Sequence, residues 1–306
     1  MGKRENWFRE GALYFRQALE QIGLADRLPS FDSYYACPCC LIALPFEAIA
    51  AQELTIEHVP PDGLGGKGML LTCKRCNNES GRAFDVHAIN RARIHDLLAG
   101  RGVNRPVRAV FLAGGIPVRG EVSSSGNGWL MQGVPKQNNP AMVKAHDRAL
   151  RSASERGEES SFKFTIAERF SPQHADVSWL RSAYLAAFAA LGWRYILRPA
   201  LDPIRVQLKE SAPAELPAVI GFNPDVDSGT REIMIVHEPE SLRSVLVAIG
   251  GYSVFLPDPW GSLTIEQLER GIEGLRDEFG KVDLTLSGQV APWPLNPLYL
   301  LDKAIR

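Results

Sequence analysis

The stretch that decides the fold begins Leu54-Thr55-Ile56-Glu57-His58-Val59-Pro60-Pro61, turns through Leu64-Gly65-Gly66, and ends Leu71-Thr72-Cys73-Lys74-Arg75-Cys76-Asn77-Asn78. Its first part is a β-branched run that closes on Glu-His and is halted by a proline pair, so it reads as a strand. Its last part holds a Cys-x-x-Cys pair, and a matching pair, Cys37-Pro38-Cys39-Cys40, lies upstream. The chain has 5 cysteines, and all of them fall between positions 37 and 76. A reducing cytosol disfavours disulfides, so Cys37, Cys40, Cys73 and Cys76 read as a tetrahedral four-thiolate zinc site made of two knuckles. Residues 41–72 separate the pairs, which is longer than the roughly 15 to 20 residues of a common zinc ribbon. A segment is therefore inserted between the knuckles. Cys39 is the spare, and a buried thiol beside the site is preferred over its replacing Cys40 as a ligand. On the cysteines alone, a structural zinc with no chemistry attached is the favoured reading.

The insert changes that balance. Metal-dependent hydrolysis of a phosphodiester needs a hard-oxygen cage for a divalent ion and a base able to take a proton from water near neutral pH. A carboxylate, an imidazole and an amide are suitable parts. Adjacent residues of a regular strand point to opposite faces, so Glu57 and His58 share a site only if the pleat relaxes where the prolines end the strand.

Taken in order, Cys37-Pro-Cys-Cys40, Glu57-His58-Val-Pro-Pro61, Leu64-Gly-Gly66, Cys73-Lys-Arg-Cys76-Asn77-Asn78, Gly81 and Asp85 resemble the HNH endonucleases of the zinc-containing ββα-metal class. The closest likeness is to members with an EH-x-x-P, LGG, C-x-x-C-N-N signature. The resemblance implies that His58 activates the attacking water. It also implies that Glu57 and Asn77 hold a catalytic Mg²⁺ or Mn²⁺, and that the four knuckle cysteines hold a structural Zn²⁺. The segment after Cys76 would be the α of the ββα unit. Asp85 is either a further ligand of the catalytic ion or, more readily, an ordinary carboxylate nearby. One position departs from the pattern. Many members carry an asparagine about five residues before the third cysteine to brace the histidine loop, and Gly68 stands there. His87 and His95 occupy no matched position and are read as plain surface histidines.

Between Lys67 and Arg108 there are nine basic residues against Glu79, Asp85 and Asp96, on a chain whose net charge is −1. Phosphate contacts supply much of the affinity for nucleic acid without reading its sequence, and Lys74, Arg75 and Arg82 beside the motif are the candidate contacts to DNA. Arg181, Arg194 and Arg198 are the fallback basic surface.

The rest of the 306 residues, 45% hydrophobic and 23% charged, are those of a globular protein. No apolar run approaches the roughly 18 to 20 residues of a membrane span. With no apolar leader at the N-terminus and no lipidation signal at the C-terminus, a cytoplasmic protein is expected. Residues 1–30 read as one amphipathic helix with Phe8, Leu13, Phe15, Leu19, Ile22 and Leu24 on its inner side, stopped by Leu28-Pro29. Strands are expected at Val107–Leu112, Ile116–Val122, Trp129–Val134, Phe162–Ala167, Ala218–Gly221, Glu232–His237, Ser244–Ile249 and Tyr252–Leu256. Helices are expected from about Pro140 to Glu158, over Trp179–Leu197 and over Ile265–Phe279. The expected fold class is α+β. An N-terminal ββα-metal (HNH) zinc domain at 31–103 is followed by a larger mixed α+β domain at 104–306, which presents substrate, binds a partner such as another defence protein, or holds a homodimer.

Gly63-Leu64-Gly65-Gly66-Lys67 lacks the spacing and the Ser/Thr of a phosphate loop. A zinc deaminase fails on order, because the first cysteine pair precedes an inverted Glu-His. The leading expectation is a metal-dependent endonuclease acting on DNA, with defence of a bacterium against foreign DNA as the role such families often serve. The alternative is a zinc-stabilised module that binds nucleic acid or protein without catalysis.

Overall fold

The computed structural model describes residues 2–24, 33–102, 105–124, 128–155, 163–209, 219–278 and 280–304. The chain forms two compact units, residues 1–88 with 172–306 and residues 89–171. This differs from the division near residue 103 expected from the sequence, because the C-terminal half packs with the zinc-binding segment as one unit.

Helix α1 (Lys3–Gln21) buries Trp7, Phe8, Tyr14, Phe15 and Leu19. Leu13 and Ile22, expected inside, are exposed. The helix ends earlier than the proline at 29. Gly23 adopts φ +70°, its N–H reaches the carbonyl of Glu20, and the N–H of Leu24 reaches that of Leu19, the pairing that closes a helix through a left-handed glycine. Residues 25–30 of the expected helix lie outside the described residues. Strands β1 (Tyr35–Ala36) and β2 (Ala43–Leu44) form a small hairpin that sequence patterning did not reveal. Strands β3 (Leu54–Val59) and β4 (Lys67–Cys73) form an antiparallel hairpin, and α2 (Lys74–Ser80) follows directly. A five-residue π-helical segment, Gly81–Asp85, leads into α3 (Val86–Leu98), which runs on into the second unit.

In that second unit β5 (Val107–Ala113), β6 (Ile116–Ser124) and β7 (Trp129–Gly133) form the expected meander. Then α4 (Pro140–Glu155) precedes β8 (Lys163–Ile166), which pairs with β5 to give the order β7-β6-β5-β8. Residues 156–158 of the expected helix and Phe162 of the expected strand lie outside the described residues. Alternation along β5 turns Val107, Ala109 and Phe111 inward against Ile94, Leu97 and Val122.

The chain returns to the first unit as α5 (Pro172–Leu191), every residue of which from Val177 to Leu191 is buried. It begins seven residues before the expected start and breaks at Gly192, whose φ is +100°. A side chain there would meet the Asp302 carboxylate at 1.9 Å, so the position takes glycine. Two short helices follow, α6 (Trp193–Ile196) and α7 (Asp202–Lys209). An antiparallel sheet comes next, formed by β9 (Ile220–Phe222), β10 (Arg231–Glu238), β11 (Ser244–Ile249) and β12 (Tyr252–Pro257), then α8 (Ile265–Glu273), β13 (Ser287–Ala291) and α9 (Leu300–Lys303). The sheet order is β13-β10-β11-β12-β9. Ala218 and Phe279, at the edges of two expected elements, lie outside the described residues.

Helix α5 packs on β11 and β12 and also on β3, β4 and the π-helical segment. A helix hydrophobic all round belongs at such a place, between two layers. Phe15, Phe188 and Trp193 join α1, α5 and α6 with ring centroids 4.7 Å apart, each pair adding about 0.5–1.5 kcal/mol beyond burial. Among the described residues no helix is long and apolar enough to cross a membrane.

Candidate functional site

The ligand sulfurs of Cys37, Cys40, Cys73 and Cys76 all lie within 4.8 Å of one another. Sulfurs bound to a tetrahedral zinc at about 2.3 Å would lie roughly 3.8 Å apart, and Cys40 Sγ is 3.8 Å from Cys73 Sγ. The donor set therefore fits a four-thiolate Zn²⁺. The first knuckle is the tip of the β1–β2 hairpin, closed by the Cys37 N–H donating to the Ile42 carbonyl at 2.9 Å. In the second, Cys73 caps α2, its sulfur accepting from the Cys76 N–H at 3.4 Å. Burial pushes the Cys37 thiol up to about 12, whereas hydrogen bonds from Cys37, Cys73 and Cys76 pull Cys40 far below the ordinary thiol range. A bound Zn²⁺ would offset the cost of ionising thiols that are buried together. Cys39 is buried beside the cluster, as expected of a bystander.

At the end of β3 the pairing slips. Glu57 faces Leu70 and His58 faces Gly68, with Met69 left over as a bulge. The bulge does not put the Glu-His pair on one face, for Glu57 is 3% exposed while His58 is turned to solvent. Gly68 has a steric reason: a Cβ there would meet Ile56 Cγ2 at 2.6 Å, so an asparagine has no room. Gly66 is likewise pressed on the Pro60 carbonyl, at 1.5 Å from an added Cβ, which accounts for the Gly-Gly of the loop. Asn77 supplies the missing brace. Its Nδ2 donates to Thr55 Oγ1 at 2.9 Å and to the Ile56 carbonyl at 3.2 Å, tying α2 to the strand two residues before His58.

Glu57 meets a residue that the motif does not contain. Arg181 of α5 donates from Nη1 to Oε1 at 2.9 Å and from Nη2 to Oε2 at 2.7 Å, and Thr72 Oγ1 donates to Oε2 at 2.8 Å. Asp85 joins the same buried network, accepting from Ser178 at 2.7 Å and Ser80 at 3.3 Å. Burial raises its pKa, against the pull of Arg181. Burial also lowers that of Arg181, but Glu57 and Cys39 outweigh it and leave the guanidinium well above its ordinary value. Arg181 is thus no part of a DNA-facing surface. Arg194 is engaged too, donating to the Leu301 carbonyl.

No family model, curated protein or solved structure matches this chain. Among the described residues, the four cysteines are the one group of three or more His, Cys, Asp or Glu side chains placed to share an ion. Of the residues expected at a catalytic ion, Glu57 has both carboxylate oxygens taken by Arg181 and Thr72, Asn77 is tied to the strand through Nδ2, and Asp85 accepts from two serines.

Of the candidate phosphate contacts, Lys74, Arg75 and Arg82 are all exposed. Hydrogen bonding to Cys40 raises the pKa of Arg75, which stands beside the thiolates. Arg93 and Arg101, in the second unit, pair with Glu168 and Asp96. The motif reading passed over Lys3, whose Nζ lies over Trp7 and donates to the Gly68 carbonyl at 3.4 Å, beside His58. Nothing in the pattern pointed to Lys3. Arg181 did carry a signal, as a charge set in the apolar stretch Trp179–Leu191, which demands a buried partner.

Proposed function

We propose that the first unit is a zinc-braced HNH-type endonuclease that hydrolyses phosphodiester bonds of DNA, with His58 as general base. The observation that carries the reading is the placement of His58. It stands exposed at the end of a β-hairpin whose companion helix is fixed by the four-cysteine cluster and by Asn77. His58 would take a proton from the attacking water, and the surrounding frame would hold the imidazole still while this happens. Lys3, Lys74 and Arg82 are exposed cations suited to the DNA backbone. The resemblance adds Mg²⁺ or Mn²⁺, which would offset the charge developing on the phosphate, although Arg181 already occupies Glu57. A part in defence against foreign DNA, alone or with a partner protein, is the wider role proposed.

The Glu57–Arg181 pair favours a second reading, a zinc-stabilised module that binds nucleic acid or protein without cutting. Incubating zinc-loaded protein with supercoiled plasmid, with Mg²⁺ or Mn²⁺ and without, separates the two. Nicked or linear product is expected, and intact plasmid under every condition would leave the binding module standing.

A further inference from the structure

We infer that Arg181 is the permanent cation on Glu57, so that Glu57 is not a metal ligand in this chain and the nuclease-like unit has a built-in positive charge where an ion would otherwise sit. The inference rests on the nuclease reading only for the expectation that an ion belongs there. The bidentate pair uses both carboxylate oxygens, at 2.9 and 2.7 Å, and Thr72 takes a further position on Oε2. Both residues are 3% exposed. A Mg²⁺ or Mn²⁺ ion takes about six oxygens and usually keeps several waters, and neither room nor solvent is offered at this carboxylate. The guanidinium cannot step aside cheaply, because its helix is buried on every side from Val177 to Leu191. A second buried carboxylate, Asp85, accepts from Ser178 of the same helix at 2.7 Å and lies near enough to Arg181 for that charge to lower its pKa against burial. Whatever divalent requirement cleavage has then lies with the DNA phosphate and the exposed side around His58, and does not pass through Glu57.

Two measurements test this without relying on cleavage. Crystals of the zinc-loaded wild type soaked in MnCl₂ should show no anomalous Mn²⁺ peak at coordination distance, about 2.1 Å, from the Glu57 carboxylate. A peak there, with Arg181 displaced, overturns the inference. In solution, the free-Mn²⁺ electron paramagnetic resonance signal should give the same number of bound ions for the wild type and for the double variant Glu57→Leu/Arg181→Leu. Loss of one bound ion in a folded double variant overturns it as well. If that variant does not fold, the wild-type crystals decide. A protein that cuts no DNA sinks the nuclease reading and leaves the Mn²⁺ result to stand on its own.

Discussion

Truncating Arg181 to leucine while Glu57 remains should be among the most damaging single changes in the first unit. Removing one partner of a buried ion pair strands the other charge, at a cost of about 3–5 kcal/mol. Glu57→Leu should cost a similar amount, plus about 1 kcal/mol for the Thr72 hydroxyl that loses its acceptor. The double replacement exchanges two desolvated charges for apolar side chains, which is often neutral or better. The double variant should therefore lie within about 2 kcal/mol of the wild type, with a coupling energy of about 3 kcal/mol or more. Asp85 then loses its cation, and since burial already raises its pKa it can take up a proton rather than stay charged. Urea denaturation of zinc-loaded protein, followed by tryptophan fluorescence, reports mainly on this unit, because every tryptophan but Trp129 lies in it. If each single variant loses under 1 kcal/mol, or if the losses simply add, the pair does not hold α5 to the β3–β4 hairpin and the reasoning fails.

Metal analysis should give about one zinc per chain. Chelation or Cys73→Ser should expose residues 35–44 and 73–80 to hydrogen exchange, since β1 and β2 are only 2 residues each and have little else to hold them. Neutralising Lys74 and Arg82 should weaken DNA binding about equally for unrelated sequences and flatten the salt dependence by roughly 0.9 log unit for each phosphate no longer neutralised, as read by fluorescence anisotropy; an unchanged slope would move the DNA-binding surface elsewhere. Burial lifts Asp302 to about 6, against the hydrogen bonds it accepts from the Arg194 and Trp193 N–H groups. An acid with a raised folded pKa holds more protons folded than unfolded, so stability falls as pH rises from the unfolded value toward 6 and is level above it. The span is worth about 3 kcal/mol. Comparing urea curves between pH 5 and 7, Asp302→Asn should show a smaller fall than the wild type, and parallel curves would rule this out.

What could be read from the sequence was set by local chemistry. The four cysteines announced a thiolate site because soft ligands at that spacing have few other uses, and β3 was legible from its β-branched run and its proline stop, whereas β4 followed only from the ββα resemblance. The faces of Glu57 and His58 were half legible. Period two separates them, and the bulge that follows does not reunite them, a result that depends on the unpaired Met69. The domain division was misread because α5 looks like a core helix from any window of sequence, and nothing local says that it serves two layers. Its single arginine was the clue, readable as a buried charge in need of a partner but silent on which acid would answer. Gly68 looked like a missing brace until the neighbouring Ile56 methyl showed why no side chain fits.

The most direct test of the account is the single-turnover cleavage rate of a short DNA duplex by wild type and His58→Ala, measured with the affinity of each for the same duplex. His58 is exposed and touches neither the zinc cluster nor the Glu57–Arg181 pair, so the variant should keep its zinc, its fold and its DNA affinity. Its cleavage rate should drop by about 10² to 10⁴, the usual contribution of a general base. A variant that cuts as fast as the wild type would contradict the assignment of His58 and with it the proposed function of the whole unit.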